Sequence, residues 1–140
     1  MSDQSQDQAR LLIVEDHFET RTYLRLALEG SHHVTVVSTA EEALLALEHG
    51  SCDLLLVDIA LGKGMNGIEL VASLRRSADY ADVPIIGMTA HQFGNGRKEM
   101  LQEGFDAFLP KPFFPEDLLR LVTKLLSDGR PPKEQPRPSS

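Results

Sequence analysis

The stretch LLLVDIALG, residues 54–62, decides how this chain is read. Four apolar residues in succession, 54–57, are too few for a helix and lack the alternation of a half-wetted strand. They read as a strand buried on both faces. Asp58 stands where that strand ends, and apolar residues resume beyond it. A carboxylate in such a place is costly to desolvate unless it is paired or put to use.

Runs of the same kind recur outward from this one. RLLIV (10–14), HVTVV (33–37), DLLLV (53–57), PIIGM (84–88) and FDAFL (105–109) are short, mostly apolar and bounded by turn or charged residues, which predicts five strands. Helical patterns lie between them. ETRTYLRLALEG stops at Gly30, read as a C-cap; STAEEALLALEHG takes Ser38 or Thr39 as its N-cap and ends at Gly50. NGIELVASLRRS follows Asn66, and PEDLLRLVTKLL opens on Pro115 as a first helical residue. HQFGNGRKEMLQEG is the weakest, because Gly94 and Gly96 lower its propensity, and its helix is placed around 97–103. Strand–helix alternation of this length predicts an α/β fold: a five-stranded parallel sheet, doubly wound with helices on both faces.

Composition narrows the function. The 140 residues suit one domain, and 41% hydrophobic content suffices for a core. A net charge of −7 argues against DNA as a direct partner. The single cysteine, Cys52, forbids an internal disulfide and fits a cytoplasmic protein. No signal peptide or membrane span is visible. Residues 1–9 read as a disordered N-terminus, 10–127 as the domain, and 128–140 as a proline-rich disordered tail.

Ligands in open α/β sheets gather at the carboxyl ends of the strands. There the first strand delivers Glu15 and Asp16, the third Asp58, the fourth Thr89, and the fifth Lys111. The second offers only hydroxyls. Three carboxylates so close raise one another's pKa unless a cation offsets them, and an all-oxygen, partly open set suits Mg²⁺. Lys111 and Thr89 would then address phosphate oxygens, leaving Asp58 as an oxygen nucleophile for a phosphoryl group.

This set, in this order, resembles the receiver domain of two-component response regulators over residues 10–127. The resemblance implies a flavodoxin-like (βα)5 fold with strand order 2-1-3-4-5. It implies Asp58 as phosphoacceptor, Asp16 as a direct Mg²⁺ ligand, Glu15 acting through water, and the Ile59 carbonyl as a further ligand. Thr89 and Phe108 match the switch pair, and Lys111-Pro112 a bond that is usually cis. A histidine kinase or histidine phosphotransfer protein is the implied donor, with a downstream protein as target. The implied role is that of a single-domain, chemotaxis-regulator-like signalling protein, not an enzyme. The last helix carries Leu118, Leu119, Leu121, Val122, Leu125 and Leu126, a wide stripe that suggests either a surface for a partner or a homodimer through helix 4, strand 5 and helix 5, or a tight helix–sheet core. Ala60 and His91 occupy positions bordering the attacking water, which implies a long-lived phosphorylated state.

Two departures stand out. IALGKGMNG is one residue longer than the common loop and lacks its proline, and Phe108 has no hydroxyl to bond when it turns inward. GKGMNG (62–67) spells a dinucleotide-loop pattern, but four residues separate it from its strand. A haloacid-dehalogenase-like phosphatase would need a second aspartate where Ala60 stands. No histidine shows metal-ligand spacing with a cysteine or aspartate, so all five are read as surface residues. The remaining alternative is a phosphorylation-independent receiver-like adaptor, which would have no chemical need for Glu15, Asp16, Asp58, Thr89 and Lys111.

Overall fold

A computed structural model describes residues 8–62, 64–90 and 104–128. The helix placed around 97–103, His91, Lys63 and the tail at 129–140 lie outside them. Within them the elements are β1 (Arg10–Val14), α1 (Phe18–Leu28), β2 (His33–Val37), α2 (Ala40–His49), β3 (Leu54–Asp58), α3 (Gly67–Arg75), β4 (Ile85–Thr89), β5 (Ala107–Pro110) and α4 (Pro115–Asp128). All pairings are parallel, in the order β2-β1-β3-β4-β5. The doubly wound sheet is therefore as the sequence predicts. No helix among the described residues is long and apolar enough to cross a membrane.

The apolar runs are continuous because each central strand feeds two cores. Leu12, Val14, Leu55, Val57 and Ile85 point to one side, against Ala43 and Leu47 of α2 and Leu70, Val71 and Leu74 of α3. Leu11, Ile13, Leu54, Leu56, Ile86 and Met88 point to the other, against Leu24 and Leu28 of α1 and Leu118 and Val122 of α4. Leu119, Leu121, Leu125 and Leu126 pack on this second core while remaining half-buried. The width of the leucine stripe on α4 thus has an internal use.

Helix entries follow the sequence signals. Thr39 caps α2 by accepting from Glu42 N, and Asn66 forms a full capping box with Glu69. Gly30 is not a cap: α1 closes on Glu29 in a right-handed conformation, and Gly30 has no positive φ. Where α3 ends, Arg75 gathers the chain around it. Its guanidinium donates to the carbonyls of Val83 (2.7 Å), Gly104 (2.7 Å) and Tyr80 (3.1 Å), and to Asp106 Oδ2 (2.9 Å). Asp106 Oδ2 also accepts from Ile85 N, so one ion pair fixes the approach to both β4 and β5. β5 accordingly begins at Ala107, two residues later than the sequence pattern suggests.

Candidate functional site

Backbone hydrogen bonds outlast the apolar runs at the carboxyl edge and hold the site residues there. Glu15 N donates to Val37 O (3.0 Å), Ile59 N to Met88 O (3.0 Å) and Lys111 N to Thr89 O (2.7 Å). Asp58 and Thr89 are thereby the last residues of β3 and β4, one position further than hydrophobicity alone predicts, and both are buried. The Lys111-Pro112 peptide is cis, as the resemblance implies.

Glu15 is fully buried, with both carboxylate oxygens engaged. Oε1 accepts from Lys111 Nζ at 2.7 Å. Oε2 accepts from the His17 amide at 3.1 Å and lies 3.0 Å from His17 Nδ1. The same ammonium is 3.5 Å from Asp58 Oδ2, so Lys111 bridges two carboxylates and sits closer to Glu15. Asp58 Oδ1 accepts from Ala60 N at 3.0 Å. Burial, and then the neighbouring Glu15 carboxylate, push the Asp58 pKa above the ordinary carboxylate value; the Ala60 amide and Lys111 act against that rise.

Asp16 is differently placed. Its Oδ2 accepts from Gly62 N at 2.9 Å, which ties the loop after β3 to the first strand's end. Among the described residues its Oδ1 is buried without a hydrogen-bond partner; His17 Nδ1, 3.2 Å away, lacks the geometry of one. Such an orphaned buried acceptor calls for a cation. Glu15, Asp16, His17 and Asp58 each offer a ligand atom, and these atoms lie within 4.8 Å of one another. The donor set is rich in oxygen and partly open to solvent, which fits a hard divalent ion. The Ile59 carbonyl accepts from Gly67 N at 3.2 Å, and a carbonyl retains a second lone pair.

Of the two residues expected to form a switch pair, Thr89 closes β4 opposite Pro110, while Phe108 stands opposite Gly87 and packs on Phe105 with ring centroids 5.3 Å apart. Gly87 makes room for this pair, since a Cβ there would lie 2.8 Å from Phe105. Phe108 is thus turned into the core in this structure.

The sequence reading missed His17. Although exposed, it reaches back to both members of the acidic pair, and those carboxylates raise its pKa, the hydrogen bond with Glu15 most. It occupies the N-cap of α1 yet makes no side-chain cap bond. A histidine where serine or aspartate is favoured, directly after two acids, is the signal that could have found it.

A buried aspartate on the central strand thus shares the carboxyl edge of the sheet with an acidic pair, a lysine and a threonine, the arrangement expected of the receiver class. The chain belongs to the response regulator receiver domain family, whose model matches residues 11–123. It is 38% identical over 116 residues to the 14.6 kDa protein of the sodA1 3' region of Leptolyngbya boryana, covering 82% of this chain and 88% of that one. It is 33% identical over 119 residues to response regulator Rre1 of Synechocystis, covering 84% of this chain and 51% of Rre1. The chain spans about half the length of most of the curated relatives it matches. The receiver domain of the sensor histidine kinase PA1611 from Pseudomonas aeruginosa superposes with a TM-score of 0.78 at 27% identity, over 86% of this chain and 98% of that one. That structure holds magnesium in its active-site cleft. Receiver domains are signalling domains that work with histidine kinases or phosphotransfer partners and bind Mg²⁺ at an acidic pocket, and the acidic cluster here is consistent with such a pocket.

Proposed function

We propose that Asp58 accepts a phosphoryl group from a histidine kinase or histidine phosphotransfer protein in a Mg²⁺-dependent step. The observation that carries this reading is the Asp58 carboxylate itself, buried at the end of β3 with Lys111 Nζ 3.5 Å from Oδ2. Asp16, Asp58 and the Ile59 carbonyl would hold the cation, with Glu15 acting through water. The cation supplies charge neutralisation for Asp58 and the incoming phosphoryl group. An Asp58 oxygen bonds to phosphorus as the donor's N–P bond breaks, and the imidazole leaves with the electron pair. Lys111 pairs with a phosphoryl oxygen, and the Thr89 hydroxyl donates to another.

Drawing Thr89 toward the phosphoryl group changes what Phe108 packs against, which couples the chemistry to β5 and α4. On that face Leu119, Leu121, Leu125 and Leu126 are half-buried, and they are the groups available to a target protein or a second copy. Phe18, next to His17, and Phe114, three residues beyond Lys111, are both 70% exposed and offer apolar anchors for a donor beside the site. We place this activity in the cytoplasm and assign the chain no enzymatic role beyond its own phosphorylation and dephosphorylation. Intact-mass measurement with acetyl phosphate tests the reading. One added phosphate is expected, absent in Asp58→Asn and after EDTA. Labelling that survives both changes refutes the site assignment, and a wild type that takes no label leaves the adaptor reading in place.

A further inference from the structure

We infer that His17 is a nitrogen ligand of the metal centre and biases it toward first-row transition ions over Mg²⁺. The inference rests on the centre proposed above but concerns which cation it prefers. Ligand atoms around an ion bound at about 2.1 Å sit about 3.0 Å apart when adjacent. His17 Nδ1 lies 3.2 Å from Asp16 Oδ1, and a ring nitrogen of His17 lies within 4.8 Å of a ligand oxygen of Asp58. The imidazole nitrogen and the orphaned carboxylate oxygen therefore stand side by side at the spacing of neighbouring ligands.

Among the described residues the competitor for that nitrogen is Glu15 Oε2, 3.0 Å away. His17 makes no cap bond to α1, and among the described residues its ring is held by the two carboxylates alone. If the ring proton resides on Nε2, the Nδ1 lone pair is free. Glu15 Oε2 then still accepts the His17 amide N–H, so no buried oxygen is stranded. Mg²⁺ gains little from an imidazole, whereas Mn²⁺, Co²⁺ and especially Ni²⁺ gain progressively more. A cluster of carboxylates alone would show little of this gradient.

Calorimetric titration of the untagged 140-residue chain with MgCl₂ and with NiCl₂ tests the proposal, in wild type, His17→Ala and Asp16→Ala. The expected Ni²⁺/Mg²⁺ affinity ratio is at least about 100 in wild type and falls at least about tenfold in His17→Ala. With Cu²⁺ as a spectroscopic probe, paramagnetic resonance should show one imidazole nitrogen coupling. That coupling should disappear in His17→Ala and weaken in Asp16→Ala, because the two side chains would hold the same ion. An unchanged ratio in His17→Ala overturns the proposal, as does nitrogen coupling that persists in that variant. Acetyl phosphate labelling of the wild type in Mg²⁺ alone forms a separate arm. Its failure would sink the phosphoacceptor reading while leaving the metal ratio interpretable.

Discussion

Replacing Gly67 by alanine should damage the site from behind. Gly67 is the first residue of α3 and has no left-handed φ, so alanine is conformationally permitted there. On propensity alone the change should stabilise the helix by up to about 1 kcal/mol. Space decides otherwise. A Cβ at this position would run into the Asp58 carbonyl oxygen and lie 2.8 Å from Ile59 Cα and 3.1 Å from the Asp58 carbonyl carbon. Ordinary carbon contacts are about 3.5–4.0 Å, so α3 and the loop after β3 must separate by roughly 0.7 Å. The obstacle is backbone, which cannot rotate away. Overpacking of this kind costs about 1–3 kcal/mol, equivalent to a melting point lower by roughly 4–10 °C. Because the displaced atoms belong to Asp58 and Ile59, phosphorylation by acetyl phosphate should slow as well. Gly30→Ala is the control, since a Cβ there meets nothing within 4 Å, and it should melt within a degree or two of wild type. Thermal melting by circular dichroism, paired with intact-mass labelling, measures both effects. A Gly67→Ala protein that melts at or above wild type and labels at the wild-type rate would refute the reasoning.

Arg75→Lys should destabilise by roughly 2–4 kcal/mol in a urea titration, because an ammonium cannot reach the Val83, Gly104 and Tyr80 carbonyls and the Asp106 carboxylate together. Retained stability would show that the guanidinium fork is dispensable. Burial pushes the Cys52 thiol up to about 12, so at pH 8 it should react with an aromatic disulfide roughly a thousandfold more slowly in the native protein than in urea. The sign for stability follows. Above the ordinary thiol pKa the unfolded chain loses this proton first, so Cys52 should make stability fall as pH rises beyond about 9.

Much of the fold is legible because burial on both faces leaves β1, β3 and β4 as uninterrupted apolar runs. Their ends are less legible, since the hydrogen-bond ladder continues past the last apolar residue. Asp58 and Thr89 are strand residues for that reason alone. At β5 the error runs the other way: Phe105 and Asp106 look like strand, but Asp106 is held by Arg75 and the chain arrives through Gly104 at φ +112. The carboxylates, threonine and lysine of the site could be listed in advance, because strand ends converge by topology. The reach of His17 back to Glu15 and Asp16, and of the Gly62 amide to Asp16, could not. Both depend on how loops fold over the sheet edge, and no spacing rule encodes that approach.

The division of the interior into two cores has a consequence for how such a domain can change. Neighbouring residues of β1, β3 and β4 face opposite layers, and among the described residues no buried side chain belongs to both clusters. A volume lost beneath α2 and α3 is therefore felt by one layer, while the packing of α1 and α4 on the other side is insulated by the backbone of the sheet. Lineages or designers can repack one layer and its outer helices step by step, at little epistatic penalty from the other. The carboxyl edge with its acidic cluster rides on the strands that separate them, so the site is carried along while either flank is rewritten for a new acquaintance.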